Sequence, residues 1–309
     1  MKSVRSSNLR PHREVGELEF LGGKCVICGG RANRIRKFAR WQEEELFLCH
    51  CRDCGSEAIS PQPSSEWLAQ EYMNYNLRRL GNSERYRPKS HYFSKLLAAT
   101  KIDFNEKKVL EVGPGEGDCL YALRQNWPAA QLYSVEANDG AAPYMAELMA
   151  THFNQSIEDW LNVNVAIKFD VLLLFDLLEH LRDPVSVLRK MVGRHLNKGG
   201  QIVATFPCVD SCSRRALARL WPQYKVEHLH YFSFKAVSFL EKEAGIKRVN
   251  LYPLKKKLPL EYLLQVGSNF GPKFTRRALS LFYNIIPKAV QGVEFPLYLG
   301  EAMWVAIND

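Results

Sequence analysis

The chain has 309 residues, of which 46% are hydrophobic, enough to bury one large or two modest domains. It carries 42 Lys and Arg against 33 Asp and Glu, a net charge of +9 that suits anionic partners, although a solvated basic surface gives the same count. No apolar run approaches the roughly 18 residues of a spanning helix, and no apolar block follows the basic N-terminus, so we expect a soluble, cytoplasmic protein without a transmembrane segment.

Two C-x-x-C pairs near the N-terminus predict a metal site. "CVIC" at 25–28 and "CRDC" at 51–54 are separated by 22 residues, and a hairpin between them would gather four thiolates into a tetrahedral site. Because eight cysteines in a cytoplasmic chain favour metal over disulfides, we expect a zinc ribbon at 21–64, after a basic arm at 1–20. The expected ligands of a structural Zn²⁺ are Cys25, Cys28, Cys51 and Cys54.

The remainder, 65–309, reads as one α/β domain with an insertion at 255–299. After a polar helical stretch at about 66–100, apolar runs alternate with helical patterns. The predicted strands are 107–112, 131–138, 169–176, 201–206, 246–254 and 301–307, and the predicted helices are 117–126, 142–152, 184–196 and 233–245. Continuous apolar strands separated by helices favour a doubly wound, mostly parallel sheet that is covered on both faces.

The first strand of this alternation is followed by a glycine turn, Gly113, Gly115 and Gly117, where an open parallel sheet binds ligands. A dinucleotide fingerprint would place the third glycine one residue later. Glu111 would sit awkwardly beside a pyrophosphate but suits a cationic group, and Glu136 at the end of the second strand suits a ribose. These residues predict a nucleoside that carries a positive charge, and they make a dinucleotide oxidoreductase the least favoured enzyme.

Four segments resemble motifs of the class I S-adenosylmethionine-dependent methyltransferases, in the right order over roughly 85–250 and the last strand. They are "VLEVGPGEG", "VEAND", "FDVLLLFDLLEHLRDP" and "LNKGGQIVATFP". The resemblance implies a seven-stranded Rossmann-like sheet and S-adenosylmethionine as cofactor. It implies that the three glycines contact the methionine and ribose parts, with Glu111 near the amino group, Glu136 on the ribose and Asp176 near the methionine end.

The segment "NQSIEDW" at 154–160 occupies the place that borders the adenine in this family. Many relatives have Asp where this chain has Ser156. The resemblance therefore leaves the adenine contact to a side chain at 155 or 156 and to the backbone of Ile157.

Methyl transfer from a sulfonium is a direct displacement, and it needs a base only where the acceptor must lose a proton. His180, which follows Glu179 just past the fourth predicted strand, suits that role with an ordinary pKa of about 6.5, although a packing histidine fits the position equally well. A second candidate is the histidine segment, residues 224–233, "YKVEHLHYFS". It resembles a segment of sugar C-methyltransferases, which implies that Glu227 and His228 face the acceptor.

That second resemblance is partial. The tyrosine of those enzymes falls at Lys225 here, with Tyr224 displaced by one. Those enzymes also carry a long additional C-terminal domain, which this chain is too short to contain. A metal bound by His228 and His230 is a less favoured alternative. The ribbon with the "P-x-P-S" stretch and aromatic-rich helix behind it resembles methyltransferases found with surface-polysaccharide pathways.

The sequence therefore predicts a methyltransferase (EC 2.1.1.-) whose acceptor is a small molecule: a sugar, a nucleotide sugar or a glycolipid. One alternative is an RNA methyltransferase that binds phosphates with the ribbon and a basic surface. Against it, this chain has "FDLLEH" at the position where base methyltransferases of the family carry an Asn-Pro-Pro-aromatic motif. Another alternative is a non-catalytic scaffold. The insertion carries seven Lys or Arg and two Glu, and its amphipathic stretch at 273–286 suits either peripheral membrane contact or, as we favour, packing against protein.

Overall fold

A computed structural model describes residues 23–41, 44–80, 89–163, 166–259 and 294–309. The predicted basic arm at 1–20 and the amphipathic stretch at 273–286 lie outside these described residues.

A seven-stranded sheet forms the centre of the larger domain. Its strands are β4 (Lys108–Val112), β5 (Gln131–Glu136), β6 (Thr151–Asn154), β7 (Phe169–Phe175), β8 (Leu196–Pro207), β10 (Lys247–Pro253) and β13 (Glu301–Ile307). Their order is β10-β13-β8-β7-β4-β5-β6, and β13 runs antiparallel to both of its neighbours while the other six strands share one direction. The predicted doubly wound, mostly parallel sheet is therefore confirmed.

Helices cover this sheet on both faces. The described helices are α1 (Ser65–Leu80), α2 (Ser90–Thr100), α3 (Asp118–Asn126), α4 (Ala142–Glu147), α5 (Ile157–Asn162), α6 (Pro184–His195), α7 (Cys212–Leu217) and α8 (Phe234–Ala244). Leu172 and Leu174 of β7 pack in a cluster with α5, α6 and α8, whereas Leu173 packs with α2, α3 and α4 on the opposite face. This two-sided burial explains why β7 reads as a continuous apolar run.

Two element boundaries differ from the prediction. The helix predicted at 142–152 ends at Glu147, and the strand β6 begins at Thr151 and pairs with β5. Met149, between the helix and the strand, has a φ of 53°, which is outside helical geometry. The apolar spacing therefore placed the end of the predicted helix too late in the chain. Residues 197–200, which separate the helix predicted at 184–196 from the strand predicted at 201–206, lie inside β8, which begins at Leu196 and continues to Pro207.

A second sheet belongs to the cysteine module, which we define as residues 23–60. Its strands β1 (Ala32–Trp41), β2 (Glu44–Cys51) and β3 (Glu57–Ser60) are antiparallel, and a two-residue strand from the histidine segment, β9 (His230–Tyr231), adds to the free edge of β3. A further antiparallel pair, β11 (Lys256–Pro259) and β12 (Glu294–Leu297), lies at the two ends of the insertion at 255–299. The cysteine module is thus joined to the larger domain through a shared sheet.

Candidate active site and metal centre

The glycine turn follows β4 at the centre of the large sheet. Gly113, Gly115 and Gly117 have φ values of 72°, 54° and 74°, in the left-handed region that glycine adopts most readily. The chain continues from β4 to β5 on one side and returns to β7 on the other, so the turn lies at the topological switch point where open sheets bind ligands. The backbone here is open enough for a ligand to approach closely.

Two carboxylates border this turn, those of the half-buried Glu136 and the buried Glu111. Glu136 accepts hydrogen bonds from the backbone N–H of Gly115 (3.3 Å) and of Asn138 (3.1 Å), and burial raises the pKa of its carboxyl. Glu111 is 3% exposed, and its Oε2 has no hydrogen-bond partner among the described residues. Burial raises the pKa of Glu111 to about 8, and the nearby Asp118 and Glu136 carboxylates add to the shift. Several acidic groups close to one another favour a cationic ligand.

Asp176 directly follows β7, next to the glycine turn. Its φ of 49° lies in the left-handed region, its backbone N–H donates to the carbonyl oxygen of Thr205 (3.0 Å), and its Oδ1 accepts from the Thr205 hydroxyl (2.8 Å). A side chain at Gly113 would contact Leu177 at 3.5 Å, so the turns after β4 and β7 touch. Asp176 therefore lies at the carboxyl edge of the sheet, beside the switch point.

Ser156 is occupied in starting a helix. Its hydroxyl oxygen accepts from the backbone N–H of Asp159 (3.0 Å) and donates to the Asp159 carboxylate (2.6 Å), which is the N-cap arrangement of α5. Ile157, the first residue of the helix, is buried. An adenine contact by Ser156 and Ile157 stays a prediction.

Beyond the carboxyl end of β7, a carboxylate and two imidazoles come together. The ligand atoms of Glu179, His180 and His228 all lie within 4.8 Å of one another, and the two imidazole rings meet edge to face at 4.8 Å. We call this group the imidazole cluster. Its members come from the short turn Leu178–His180 and from the histidine segment, as the sequence predicts.

The hydrogen bonds of His180 define its tautomer. Its Nδ1 lies 2.9 Å from the carbonyl oxygen of Glu227, and because a carbonyl can only accept, Nδ1 carries the proton and Nε2 keeps a lone pair. Burial lowers the pKa of His180 to about 4, although this hydrogen bond opposes the shift. The imidazole is therefore neutral at physiological pH and able to accept a proton at Nε2.

Glu179 is the carboxylate of the imidazole cluster. Its side chain is 1% exposed, and its Oε2 has no hydrogen-bond partner in the part of the chain that the structure describes. Burial, with a further contribution from Asp176, raises the pKa of its carboxyl well above the ordinary value. The carboxylate of Glu227, by contrast, stays partly exposed with Lys225 at 3.9 Å, and the backbone of Glu227 is what contacts His180.

Tyr72 of α1 joins the cluster, and sequence reasoning did not single it out. Its hydroxyl lies 3.2 Å from Nδ1 of His180, and the two rings meet edge to face at 5.4 Å. Burial raises the pKa of Tyr72, with added contributions from the Glu227 and Glu179 carboxylates. The aromatic-rich composition of α1 was the available signal, but no spacing connects a tyrosine there to a histidine 108 residues later.

His230 and Tyr224 turn away from the imidazole cluster. His230 is buried and donates from Nε2 to the carbonyl oxygen of Arg182 (3.2 Å). Neither of the two groups with metal-ligand geometry among the described residues includes it, so the geometry gives no support to a metal between His228 and His230. The Tyr224 hydroxyl donates to Glu57 of the cysteine module (2.6 Å).

The four predicted cysteine ligands converge. All four Sγ atoms lie within 4.8 Å of one another, with 3.6 Å between Cys25 and Cys54 and 3.5 Å between Cys28 and Cys51, and none is in a disulfide. Four thiolates around one Zn²⁺ would stand about 3.8 Å apart, given Zn–S distances of about 2.3 Å. The donor set and its spacing fit a tetrahedral zinc site.

Each C-x-x-C pair closes in a tight turn. The backbone N–H of Gly29 donates to the Cys25 carbonyl (2.8 Å), and that of Gly55 donates to the Cys51 carbonyl (2.9 Å). Both glycines have positive φ values, 73° and 77°, which glycine adopts without a steric penalty.

Comparison with known proteins identifies the larger domain. The model of a family described as a methyltransferase domain matches residues 82–250, more than half of the chain. No curated protein matches the sequence. In the part of the chain that is described, no helix is long and apolar enough to cross a membrane.

Several solved structures share the fold at low sequence identity. A chain of the complex between the Haloferax volcanii Trm112 methyltransferase activator and the protein assigned as a methyltransferase is 13% identical, covering 77% of this chain and 97% of that one, with a TM-score of 0.52. The [4+2]-cyclase SpnF is 14% identical over 80% of this chain and 97% of its own, with a TM-score of 0.50. A methyltransferase-like protein from Bacillus halodurans is 14% identical, covering 70% of this chain and 98% of that one, with a TM-score of 0.48.

Proposed function

Because the chain belongs to the class I S-adenosylmethionine-dependent methyltransferases, we propose that it methylates a small polar acceptor, a sugar, a nucleotide sugar or a glycolipid. The observation that carries this proposal is the imidazole cluster beside the glycine turn, where His180 offers a lone pair at Nε2. The resemblance of the histidine segment to that of sugar C-methyltransferases supports the acceptor class. SpnF, named as a cyclase, has the same fold, so the reaction is argued from these residues rather than from the fold.

On the cofactor side, we assign binding to the residues around the switch point. The glycine turn allows close backbone approach, the unpartnered Oε2 of Glu111 lies near other carboxylates and suits an ammonium group, and Glu136 stands where a ribose would bind. Asp176 borders the methionine end, and Ser156 with Ile157 borders the adenine. When bound, S-adenosylmethionine supplies a methyl group on a positively charged sulfur.

On the acceptor side, we assign alignment and proton removal to the imidazole cluster. Nε2 of His180 accepts the proton that the acceptor loses, and the hydrogen bond from Nδ1–H to the Glu227 carbonyl keeps the ring in the productive tautomer. Burial of Glu179 and His228 excludes water from the reacting atoms. Tyr72 and the partly exposed carboxylate of Glu227 are placed to bind hydroxyl groups of the acceptor.

We also propose that Cys25, Cys28, Cys51 and Cys54 hold one structural Zn²⁺. Four protein ligands close the coordination shell, so the ion has no open position for chemistry.

Calorimetric titration with S-adenosylmethionine, S-adenosylhomocysteine and NAD tests the cofactor assignment. We expect the first two to bind and NAD not to bind. Gly115→Arg should weaken binding by roughly 100-fold, because its side chain enters the space that the ligand needs. Gly199→Arg is the matched control, since Gly199 also has a positive φ and open space around it but lies at the amino end of the sheet.

Transfer of a labelled methyl group to a panel of sugars, nucleotide sugars and RNA then tests the acceptor class. Labelling of a sugar derivative supports the proposal, and labelling of RNA alone overturns it. A folded wild-type protein that binds neither S-adenosylmethionine nor S-adenosylhomocysteine would favour the scaffold alternative.

A further inference from the structure

We propose that the cysteine module is a structural part of the acceptor site: its metal ion holds the histidine segment in place, while the cofactor side is independent of that metal. This inference rests on the proposed function, because that function is what makes the imidazole cluster an acceptor site. The mechanical coupling itself rests on contacts between the two parts of the chain.

The first contact is a shared β-sheet. The last strand of the cysteine module, β3, pairs with β9, with Glu57 opposite Tyr231 and Ala58 opposite His230. The backbone N–H of Ile59 donates to the carbonyl of Leu229 (3.0 Å), and the N–H of Leu229 donates to the carbonyl of Glu179 (2.8 Å). Leu229 is the neighbour of His228, so backbone hydrogen bonds run from the module through the histidine segment to the imidazole cluster.

The second contact is a buried ionic group. Glu57 is 2% exposed, pairs with the guanidinium of Arg214 and accepts a hydrogen bond from the Tyr224 hydroxyl (2.6 Å), to which Arg214 Nε also donates (3.2 Å). Tyr224 begins the histidine segment. A buried carboxylate with two donors holds a specific geometry, and loss of the carboxylate leaves the guanidinium without its charge partner. We assign Glu57 as a positioning residue.

The third contact joins the other end of the histidine segment to the metal centre. The Ser233 hydroxyl donates to the backbone carbonyl of Cys54, and its oxygen accepts from the N–H of Ala236 at the start of α8. A side chain at Gly55 would lie 3.4 Å from the Ser233 hydroxyl oxygen, so the second C-x-x-C turn packs directly on this serine. Cys51, Cys54 and Phe232 belong to one buried cluster. The geometry imposed by the metal therefore reaches both ends of the segment.

The cofactor side has other supports. The N–H of Gly113 donates to Val135 (2.9 Å) and the N–H of Gly115 to Glu136 (3.3 Å), and both acceptors belong to β5. In the sheet, β5 lies on the opposite side of β4 from β7, after which the imidazole cluster is found. Release of the metal should therefore loosen one half of the site and spare the other.

Hydrogen–deuterium exchange of the full chain, zinc-loaded and after treatment with a chelator, tests the coupling. Zinc removal should speed exchange at the amides of Ile59 and Leu229 by at least about 10-fold, because their hydrogen bonds to the carbonyls of Leu229 and Glu179 link the module, the histidine segment and the turn after β7. Exchange at Gly113 and the Kd for S-adenosylhomocysteine should change less than about twofold. Unchanged protection at Leu229, or equal loss of protection at Gly113, overturns the proposal.

A substitution that leaves the cysteines intact provides the second test. Glu57→Gln should speed exchange at Leu229 by about 10-fold in zinc-loaded protein, whereas Glu45→Gln, at an exposed ion pair of the same module, should not. No change in the Glu57 variant overturns the positioning role. Failure of the zinc-loaded wild type to bind S-adenosylhomocysteine would instead remove the proposed function and leave the exchange result standing.

Discussion

On the cofactor side of the candidate site, two adjacent strands and the turns behind them supply the main groups: the glycines after β4 and Glu136 at the end of β5. On the acceptor side, side chains arrive from separate parts of the chain, Tyr72 from α1, His180 from the turn after β7 and His228 from the histidine segment. Neighbouring parallel strands fix the first arrangement, and long-range packing fixes the second. Substitutions on the acceptor side should therefore lower catalysis and leave cofactor affinity unchanged.

The largest separation is expected for His180→Gln. Loss of the base at Nε2 should lower kcat by about 10²- to 10⁴-fold, the usual range for general acid–base catalysis, with little change in the Kd for S-adenosylhomocysteine. His195→Gln is the control, because the Nδ1 of His195 likewise contacts a backbone carbonyl, that of Ile167, yet His195 lies at the other end of β7. A kcat within a few-fold of wild type for His180→Gln would contradict the assignment as a base.

The pH dependence should sharpen the same point. Burial lowers the pKa of His180 from 6.5 to about 4, so the neutral imidazole persists well below physiological pH. We expect kcat/KM of the free enzyme to fall about tenfold per pH unit only below pH 4, if the fold survives there. Since the folded state disfavours the charged ring, the contribution of His180 to stability is complete above pH 6.5 and is lost as the pH falls toward 4. A profile with its acidic limb near 6.5 would show that His180 is solvated in solution.

Tyr72→Phe should give a smaller effect that is confined to the acceptor side. It removes the hydroxyl near His180 but keeps the ring contact, and we expect kcat/KM for the acceptor to fall about 10-fold with cofactor affinity unchanged. Tyr252→Phe is the control, because it removes a tyrosine hydroxyl that donates a hydrogen bond to the sulfur of Met303. An equal loss of cofactor affinity in Tyr72→Phe would break the distinction between the two sides.

Ser156→Ala should have the smallest effect. Loss of the N-cap of α5 should cost about 1 kcal/mol in the free energy of unfolding. Because its hydroxyl is already bonded to Asp159, we expect the Kd for S-adenosylhomocysteine to change less than about threefold. Asp183→Ala, which removes the N-cap of α6, should cost a similar amount and serves as the control for denaturant unfolding. A larger loss of affinity for Ser156→Ala would place this hydroxyl on the adenine.

The same contrast explains what the sequence could predict. The glycine turn, Glu136 and the cysteine pairs are local patterns whose spacing carries their geometry, and the structure brings the four cysteines together as expected. Strand alternation likewise predicted the sheet, because a strand buried on both faces has a distinctive composition. The strand β6 was missed because a short, partly exposed edge strand directly follows a helix with a similar apolar spacing.

The acceptor side was predicted only in part. His180 was predicted from its position just past the fourth strand, and Glu227 and His228 were predicted from the family resemblance. The role of the Glu227 backbone could not be foreseen from its carboxylate. Tyr72 and Glu57 carry no local pattern, since their partners lie 108 and 167 residues away. Such contacts depend on how the cysteine module and α1 pack on the large sheet. The periodicity of a single sequence predicts helices and strands, but it does not predict this packing.

The pairing of β3 with β9 sets an order for events during protein synthesis. Glu57 leaves the ribosome 167 residues ahead of Tyr224, a delay of roughly 8 to 30 s at ordinary elongation rates. Throughout that interval the outer edge of β3 has unpaired backbone groups, which in a crowded cell invite pairing with other chains. The nascent cysteine module is therefore exposed to misassembly until the histidine segment emerges and adds its strand, and the acceptor side is completed in the same step.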